Sequence, residues 1–242
     1  KIKNKIACII LSKSLFSKKL PKSNYIFVTN PDLIFNYLSN LFVAKSNFNI
    51  HPTVIIDKNA KIGKNVSIGA YSVIGENVTI DQNVTIGDSV LLKNVHIKTS
   101  TKVLSSCVIG DEGIGAVRDE NNKLVTMPHF GKVIIDENVI IFNRVTINRG
   151  NLEDTFIGKG SIIGSNSFIS HNVKIEKNVL LAFAVVVCGS VKINKNSNLW
   201  SNVTVKDGVT IGSNATIGMG SIITKNIPSD VIYFDKKIKK KK

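Results

Sequence analysis

From Ile157 to Ile223 a branched apolar residue or Leu recurs at every sixth position: Ile157, Ile163, Ile169, Ile175, Leu181, Val187, Ile193, Leu199, Val205, Ile211, Ile217 and Ile223. A spacing of six is neither the 3.6 of a helix nor the alternation of a strand, so it describes a unit larger than one element. The position four after each of these is mostly small or β-branched, as in Ser161, Ser167, Val173, Val179, Ser197 and Ala215, and Gly, Asn, Asp and Lys fill the places between. Each hexad predicts a short extended stretch with one side chain turned inward, then a tight corner where Gly or Asn takes φ > 0. Three hexads close a triangle, and stacked triangles form a parallel β-helix whose coils hydrogen-bond to one another.

The same period opens at Ile50 and runs through Ile56, Ile62, Ile68, Ile74, Ile80, Ile86 and Leu92, then slips by one residue to Ile97 and continues through Val103 and Ile109. It stops between Ile109 and Ile135, in a segment rich in Gly, Asp, Glu, Asn and Arg that ends in Pro128-His129-Phe130-Gly131. A loop is expected there, over about 110–132, and loops of that length in a compact array tend to be functional. Hexads return at Ile135, Ile141 and Ile147, and a shorter interruption, Asn148 to Asp154, precedes Ile157. Two interruptions so close together on a regular prism mark the place where a substrate would be handled. Residues 1–49 carry no hexads; Lys5 to Leu11 and Tyr25 to Thr29 read as strands and Pro31 to Leu41 as a helix capped by Asn30. The expected organisation is a small α/β N-terminal domain over 1–49, a solenoid over 50–230 and a basic tail over 231–242.

Composition changes this picture little. Thirty-two Lys and Arg against seventeen Asp and Glu give a net charge of +15, which suits acidic partners such as nucleotide phosphates or an acidic carrier protein, or simply reflects a Lys- and Asn-rich proteome. The terminal Lys236, Lys237, Lys239, Lys240, Lys241 and Lys242 read as a solvated, mobile run. Nucleic-acid binding would need aromatic residues interleaved with the basic ones, and only Tyr233 and Phe234 border this run, so no nucleic-acid partner is expected. Cys8, Cys107 and Cys188 are odd in number and far apart, which gives neither a disulfide framework nor a zinc pattern and fits a reducing compartment. The longest apolar run, Val179 to Cys188, is far short of the ~20 residues of a spanning helix and lies in the hexad register, and residues 1–11 lack a cleavage site of signal-peptide type. The expectation is a cytoplasmic protein that does not span a membrane.

His171, in Ser170-His171-Asn172-Val173, stands two residues past an inward position, where a corner residue points outward. An imidazole there can take a proton from an amine or hydroxyl near neutral pH, or is simply a surface His in a turn. His51 reads as structural, His96 as a corner residue, and His129 as able to reach a substrate from the long loop; no pair has metal-ligand spacing. Met219 and Trp200 read as packing residues of late coils, although Trp200 could stack on an adenine if it faces a cleft.

The hexapeptide pattern resembles the left-handed parallel β-helix of the hexapeptide-repeat acyltransferases. Ile134-Ile135, Val145 to Gly150, Leu152 to Gly158 and Ile169 to Val173 follow one another with the spacing of the UDP-3-O-(3-hydroxyacyl)glucosamine N-acyltransferase family of lipid A synthesis. Gly113-Ile114-Gly115 and Pro128-His129-Phe130-Gly131 stand where that family has Gly-Phe-Gly and Pro-x-x-Gly, and Val28-Thr29-Asn30-Pro31 looks like the end of its uridine-binding domain. The resemblance runs from about residue 25 to about 193. It implies an all-β, left-handed β-helix forming a homotrimer, with His171 as general base, Asn30 on uracil, and the acyl chain in a groove between subunits. A part in orienting base or sugar is expected of Asn143, Arg149 and Asp154, and substrate contact of His129.

No bound cofactor is expected; an acyl carrier protein or coenzyme A thioester would be the donor substrate, and a nucleotide-linked amino sugar the acceptor. The departures are the short N-terminal domain, Asp32 in place of an aromatic, Asn148-Arg149-Gly150 for Asp-Arg-Gly, no second histidine in the late coils and no C-terminal helical extension. Ile217 to Pro228 instead resembles the last coil of acetyl-CoA-dependent sugar N-acetyltransferases, which is the alternative activity. A non-catalytic β-solenoid scaffold is the reading from another class.

Overall fold

The computed structural model describes residues 8–20, 23–42, 49–234 and 237–240. The chain divides into two units, residues 1–47 and 48–242. In the first, strands Ile9–Ser12 and Tyr25–Val28 pair in parallel, Ile9 beside Tyr25. The helix Pro31–Asn40 follows, and Asn30 caps it by accepting the Leu33 N–H at 3.0 Å. Residues 5–7 of the expected first strand lie outside the described residues. No described side chain of this unit is fully buried, in keeping with the small core that so short a segment can form.

The second unit is a left-handed parallel β-helix. Its hexads lie on three sheets of nine, eight and ten strands, parallel throughout except for the last strand of the third. The first face carries the strands of Ile56, Ile74, Leu92, Ile109, Ile147, Ile169, Val187, Val205 and Ile223; the second begins at Ile62 and the third at Ile68. One coil is three hexads, so Ile163 lies over Leu181 and Ile169 over Val187. The general preference for right-handed crossovers comes from twisted strands feeding long connections. Two-residue strands joined by tight corners have little twist to impose that hand.

Every one of the twelve sixth-position residues from Ile157 to Ile223 is at most 1% exposed. Burying each such side chain is worth about 1.5–3 kcal/mol, an upper estimate that takes an extended chain as reference. The small residue four places on is buried too, and where it is Ser its hydroxyl serves the backbone: Ser161 Oγ donates to the Glu176 carbonyl at 3.0 Å and accepts the Val179 N–H at 3.1 Å. Ser197 repeats the device with the Gly212 carbonyl and the Ala215 N–H.

The residue three past the inward one takes the left-handed conformation, usually as Asn, as at Asn166 (φ 60°), Asn172 (59°) and Asn178 (56°). Ala184 and Arg144 adopt it as well, at the cost expected of a residue with a Cβ. The glycines directly after the inward residue serve a different purpose: a Cβ on Gly164 would stand 2.3 Å from the Ala182 carbonyl oxygen of the next coil.

Three features differ from the sequence expectation. The loop of 110–132 contains an antiparallel hairpin, Ala116–Arg118 with Leu124–Thr126. Its turn is tied by Asp119, whose Oδ1 accepts the N–H groups of Asn121 and Lys123. The basic tail is not a mobile run over its described part. Val231–Phe234 adds in parallel to the third face and Lys237–Lys240 pairs antiparallel with it, because the Phe234 ring covers Gly218, where no side chain stands in its way. Lys236, Lys241 and Lys242 lie outside the described residues. Trp200 and Met219 are not packing residues: they are 44% and 69% exposed on the third-to-first corner, since the corner positions of a coil face away from the prism interior.

Candidate active site

Both interruptions leave the prism at one corner. The first-face strands Val108–Asp111 and Thr146–Asn148 lead into them, and the chain resumes on the second face at Val133–Ile135 and Thr155–Ile157. The register is kept across them, Ile97 pairing with Ile135 and Ile109 with Ile147. His171 occupies the same corner one coil further on, so the outward positions form a column of Arg149, His171, Gly189, Asp207 and Lys225. Stacking of coils thus brings both excursions to His171.

His171 is half-buried. Its Nδ1 lies 3.1 Å from Asn172 Oδ1, and that oxygen also accepts the Asn151 N–H at 2.9 Å. An amide oxygen already serving as acceptor assigns the hydrogen between it and the ring to His171 Nδ1, so in the neutral tautomer the lone pair is on Nε2. Asn172 is itself fixed, its backbone N–H donating to Thr155 Oγ1 at 3.0 Å. The Nε2 edge faces Gly189: a Cβ there would stand 2.6 Å from His171 Cε1, 2.8 Å from Nε2 and 3.0 Å from Asp207 Oδ1. The Gly189 N–H donates to no described residue. Cys188 adjoins this edge, but burial, with the Asp207 carboxylate adding to it, pushes its thiol pKa up, which keeps it protonated and a poor nucleophile.

The long loop folds back on the other side. The rings of His129 and His171 lie edge to face with centroids 5.7 Å apart, and His129 is 2% exposed with neither ring nitrogen hydrogen-bonded. Burial holds the His129 pKa below the usual imidazole range, and His171 and Arg149 push the same way against Glu112 and the Met127 carbonyl. Arg149 reaches under the loop, its Nε donating to the Gly131 carbonyl at 2.8 Å. Asp154 accepts the Lys132 N–H at 2.9 Å, and its carbonyl takes the Lys174 ammonium at 2.7 Å. Asn148 donates to the Glu112 carbonyl at 2.8 Å. Arg149 and Asp154 therefore shape the excursions that flank His171.

Asn143 is not brought to this corner within one protomer. It stands on the third-to-first corner, where its carbonyl accepts the Asn166 N–H. Asn30 belongs to the N-terminal unit, with its side-chain oxygen engaged in the helix cap. His51 bonds Thr53 at 2.9 Å. His96 is an outward strand residue of the second face rather than a corner residue, 3.0 Å from Asp81. Among the described residues no group of three or more His, Cys, Asp or Glu side chains is placed to hold a metal ion, and no helix is long and apolar enough to cross a membrane.

The sequence reading places Gly113 and Asn172 in motifs but gives no role to them, nor to Gly189 and Asn151. The signal for Gly189 was available, since it follows His171 by one full coil; that for Gly113 and Asn151 lies in loop folding, which no period records.

Residues 190–225 match the profile of the bacterial transferase hexapeptide (six repeats), and residues 50–152 match that of the GMPPB C-terminal domain. Hexapeptide repeats of the transferase type thus occupy residues 190–225. This hexapeptide-repeat chain is 40% identical over 70 residues to the UDP-3-O-acylglucosamine N-acyltransferase of Coxiella burnetii (strain Dugway 5J108-111), a stretch covering 29% of this chain and 20% of that protein. It is 41% identical over 56 residues to the enzyme of the same name from Francisella tularensis subsp. holarctica (strain FTNF002-00 / FTA), covering 23% and 17%. The matched stretch thus spans about a fifth of the length of these curated relatives. Among solved structures, LpxA from Bacteroides fragilis 9343, a UDP-N-acetylglucosamine acyltransferase, superposes with a TM-score of 0.70 at 25% identity over 79% of this chain and 73% of that one. The UDP-N-acetylglucosamine acyltransferase of Francisella novicida gives 0.60 at 27% identity, over 78% and 68%.

Proposed function

We propose that this hexapeptide-repeat chain is an acyltransferase that moves an acyl group from a thioester to the amine of a UDP-linked amino sugar, with His171 as general base. The observation that carries the reading is the state of His171: Nδ1 tethered to Asn172 Oδ1 and a bare Nε2 on the open edge beside Gly189. As the amine nitrogen bonds to the thioester carbon, Nε2 takes its proton. The carbonyl oxygen becomes an oxyanion, which the uncommitted Gly189 N–H of the adjoining coil would hold. Collapse breaks the C–S bond, and the leaving thiolate takes the proton back from His171. Cys188 has no part in bond making.

A homotrimer is the assembly this reading uses. The outer row of the first face, which ends at the His171 corner, includes Val73, Leu91, Val108, Phe168, Val186 and Ile222, with Ile222 69% exposed. An apolar row of this kind is suited to burial against another copy. Asn143 and Asn30 would then act on substrate only from a neighbouring chain or through the N-terminal unit. The cytoplasm is the compartment in which nucleotide sugars and acyl thioesters are both at hand.

The donor is a 3-hydroxyacyl carrier protein or an acyl-CoA. The nucleotide-sugar N-acetyltransferase alternative is favoured by one feature, the half-exposed Trp200 ring beside Met219 on the third-to-first corner, a surface on which an adenine could stack. The test is transfer to UDP-3-O-acylglucosamine from 3-hydroxyacyl carrier protein and, separately, from acetyl-CoA. Turnover with the first supports the main reading, turnover with acetyl-CoA alone supports the second, and none with either contradicts both.

A further inference from the structure

Along the corner column Asp207 stands two coils beyond His171, with Gly189 on the coil between. Neighbouring strands lie about 4.8 Å apart, so the two backbones are separated by roughly 10 Å. Their side chains lean towards each other over the glycine. One point, the place a Cβ on Gly189 would occupy, is 2.8 Å from His171 Nε2 and 3.0 Å from Asp207 Oδ1. Those two atoms are therefore less than about 6 Å apart, a gap that two hydrogen bonds meeting at one atom can span.

Both atoms are unpaired and reach solvent. His171 Nε2 bonds to no described residue, and it is not among the buried polar atoms left without a partner. Asp207 is exposed, and its carboxylate makes no hydrogen bond or ion pair with a described residue, Lys225 of the next coil included. Its charge is felt at this turn all the same, since after burial it is the second cause that raises the Cys188 thiol pKa. An atom that joins Nε2 to Oδ1 would stand on the solvent side of the glycine, where neither residue is covered.

The two ends define what can join them. With its hydrogen on Nδ1, a neutral imidazole only accepts at Nε2, and a carboxylate only accepts. The joining atom must therefore donate two hydrogen bonds. A sugar hydroxyl has one hydrogen and cannot. A primary amine has two, and with both donated its lone pair is free to attack.

We infer that Asp207 and His171 together hold the acceptor amine, one N–H on Asp207 Oδ1 and the other on His171 Nε2, which makes Asp207 a catalytic residue that selects amines over hydroxyls. The inference rests on the acyl-transfer reading for the reaction, and on the local geometry for the two-point hold. As the amine lone pair forms the C–N bond, the hydrogen held by Nε2 passes to the imidazole. The hydrogen held by Asp207 stays on nitrogen and becomes the amide N–H of the product. Cleavage of the C–S bond releases the thiolate, which takes the proton from His171, so no further reactant is needed.

The experiment uses the full chain with UDP-glucosamine and UDP-glucose, which carry an amine and a hydroxyl at the same carbon. By calorimetry the wild type is expected to bind the amine at least tenfold more tightly than the hydroxyl. Asp207→Ala is expected to bind the two within about threefold of each other. In turnover, Asp207→Ala should raise the KM for UDP-3-O-acylglucosamine at least tenfold with the donor KM within twofold. Asp207→Asn, which keeps one acceptor oxygen, should fall between wild type and Asp207→Ala in both measurements.

An acceptor KM unchanged in Asp207→Ala, the same preference for the amine in wild type and Asp207→Ala, or an Asp207→Asn as impaired as Asp207→Ala would each overturn the inference. Normal transfer by Asp207→Ala would do so while leaving the acyl-transfer reading intact. Should the wild type transfer nothing from any donor while its preference for the amine is lost in Asp207→Ala, the two-point hold stands and the acyl-transfer reading falls. If Asp207→Ala fails to fold, the wild-type comparison decides, and equal affinity for the two sugars overturns the inference.

Discussion

The ring of His129 meets that of His171 edge to face, centroids 5.7 Å apart and planes at 73°. The two residues come from different structural systems, one from the long excursion and one from the regular corner column. Their meeting converts a surface imidazole into one that is walled on one side by a loop and open on the other towards Gly189.

Acid should act on stability through His129. Its pKa is held down chiefly by burial, so between the folded value and the unfolded value of about 6.5 the unfolded chain binds more protons. The stabilisation is present above about pH 6.5 and is lost as pH falls below it, with a slope of at most about 1.4 kcal/mol per pH unit for one proton. Denaturant midpoints of wild type and His129→Gln across pH 5–8 should converge as pH falls. Parallel curves would contradict the burial account.

Gly189→Ala should strike the base without harming the fold. Its Cβ would stand 2.6 Å and 2.8 Å from His171 ring atoms, and Gly189 is not among the residues with positive φ, so the backbone accepts Ala while the imidazole must turn away. Turnover is expected to fall at least about tenfold, the size of effect a misplaced reacting group produces, with little change in melting temperature.

Asn172 has two tasks that substitution can separate. Its left-handed φ of 59° is easy for Gly, whereas its side-chain oxygen orients His171 and holds Asn151. Asn172→Gly should fold yet lose kcat, while Asn172→Asp, which keeps the acceptor, should retain most of it. Equal turnover for the Gly and Asp variants would remove the orienting role.

The inner and outer rows should respond oppositely. Ile163→Ala, at a site 0% exposed, is expected to cost about 2–5 kcal/mol by cavity formation. Ile222→Ala, at a site 69% exposed, should change the stability of a single chain by no more than about 0.5 kcal/mol yet weaken self-association in sedimentation. A monomeric wild type would contradict the use made of the outer row.

The prism was legible because its signal is local and repeated. Each inward Ile or Val specifies one face, and each Asn three places on specifies a corner, so the register could be read through Ile223 without knowing any contact. The corner position of His171 followed from the same count. The hairpin at 116–126 was hidden by its turn, in which Asp119 makes the bonds that a Gly would announce more openly. The burial of His129 goes with Gly113 meeting it beside Asn148 and His171, and no spacing encodes such a meeting. The tail was misread because charge predicts solvation, whereas strand addition at the open end of the third face uses backbone groups that lysine shares with every other residue.

Removing the His171 imidazole tests the central claim most directly. His171→Ala should keep the fold and assembly of the wild type while acyl transfer to UDP-3-O-acylglucosamine falls by about 10²–10⁴, the range expected for loss of a general base. Wild-type turnover in a folded, assembled His171→Ala would show that the proton leaves the amine by another route and that this corner is not where the chemistry occurs.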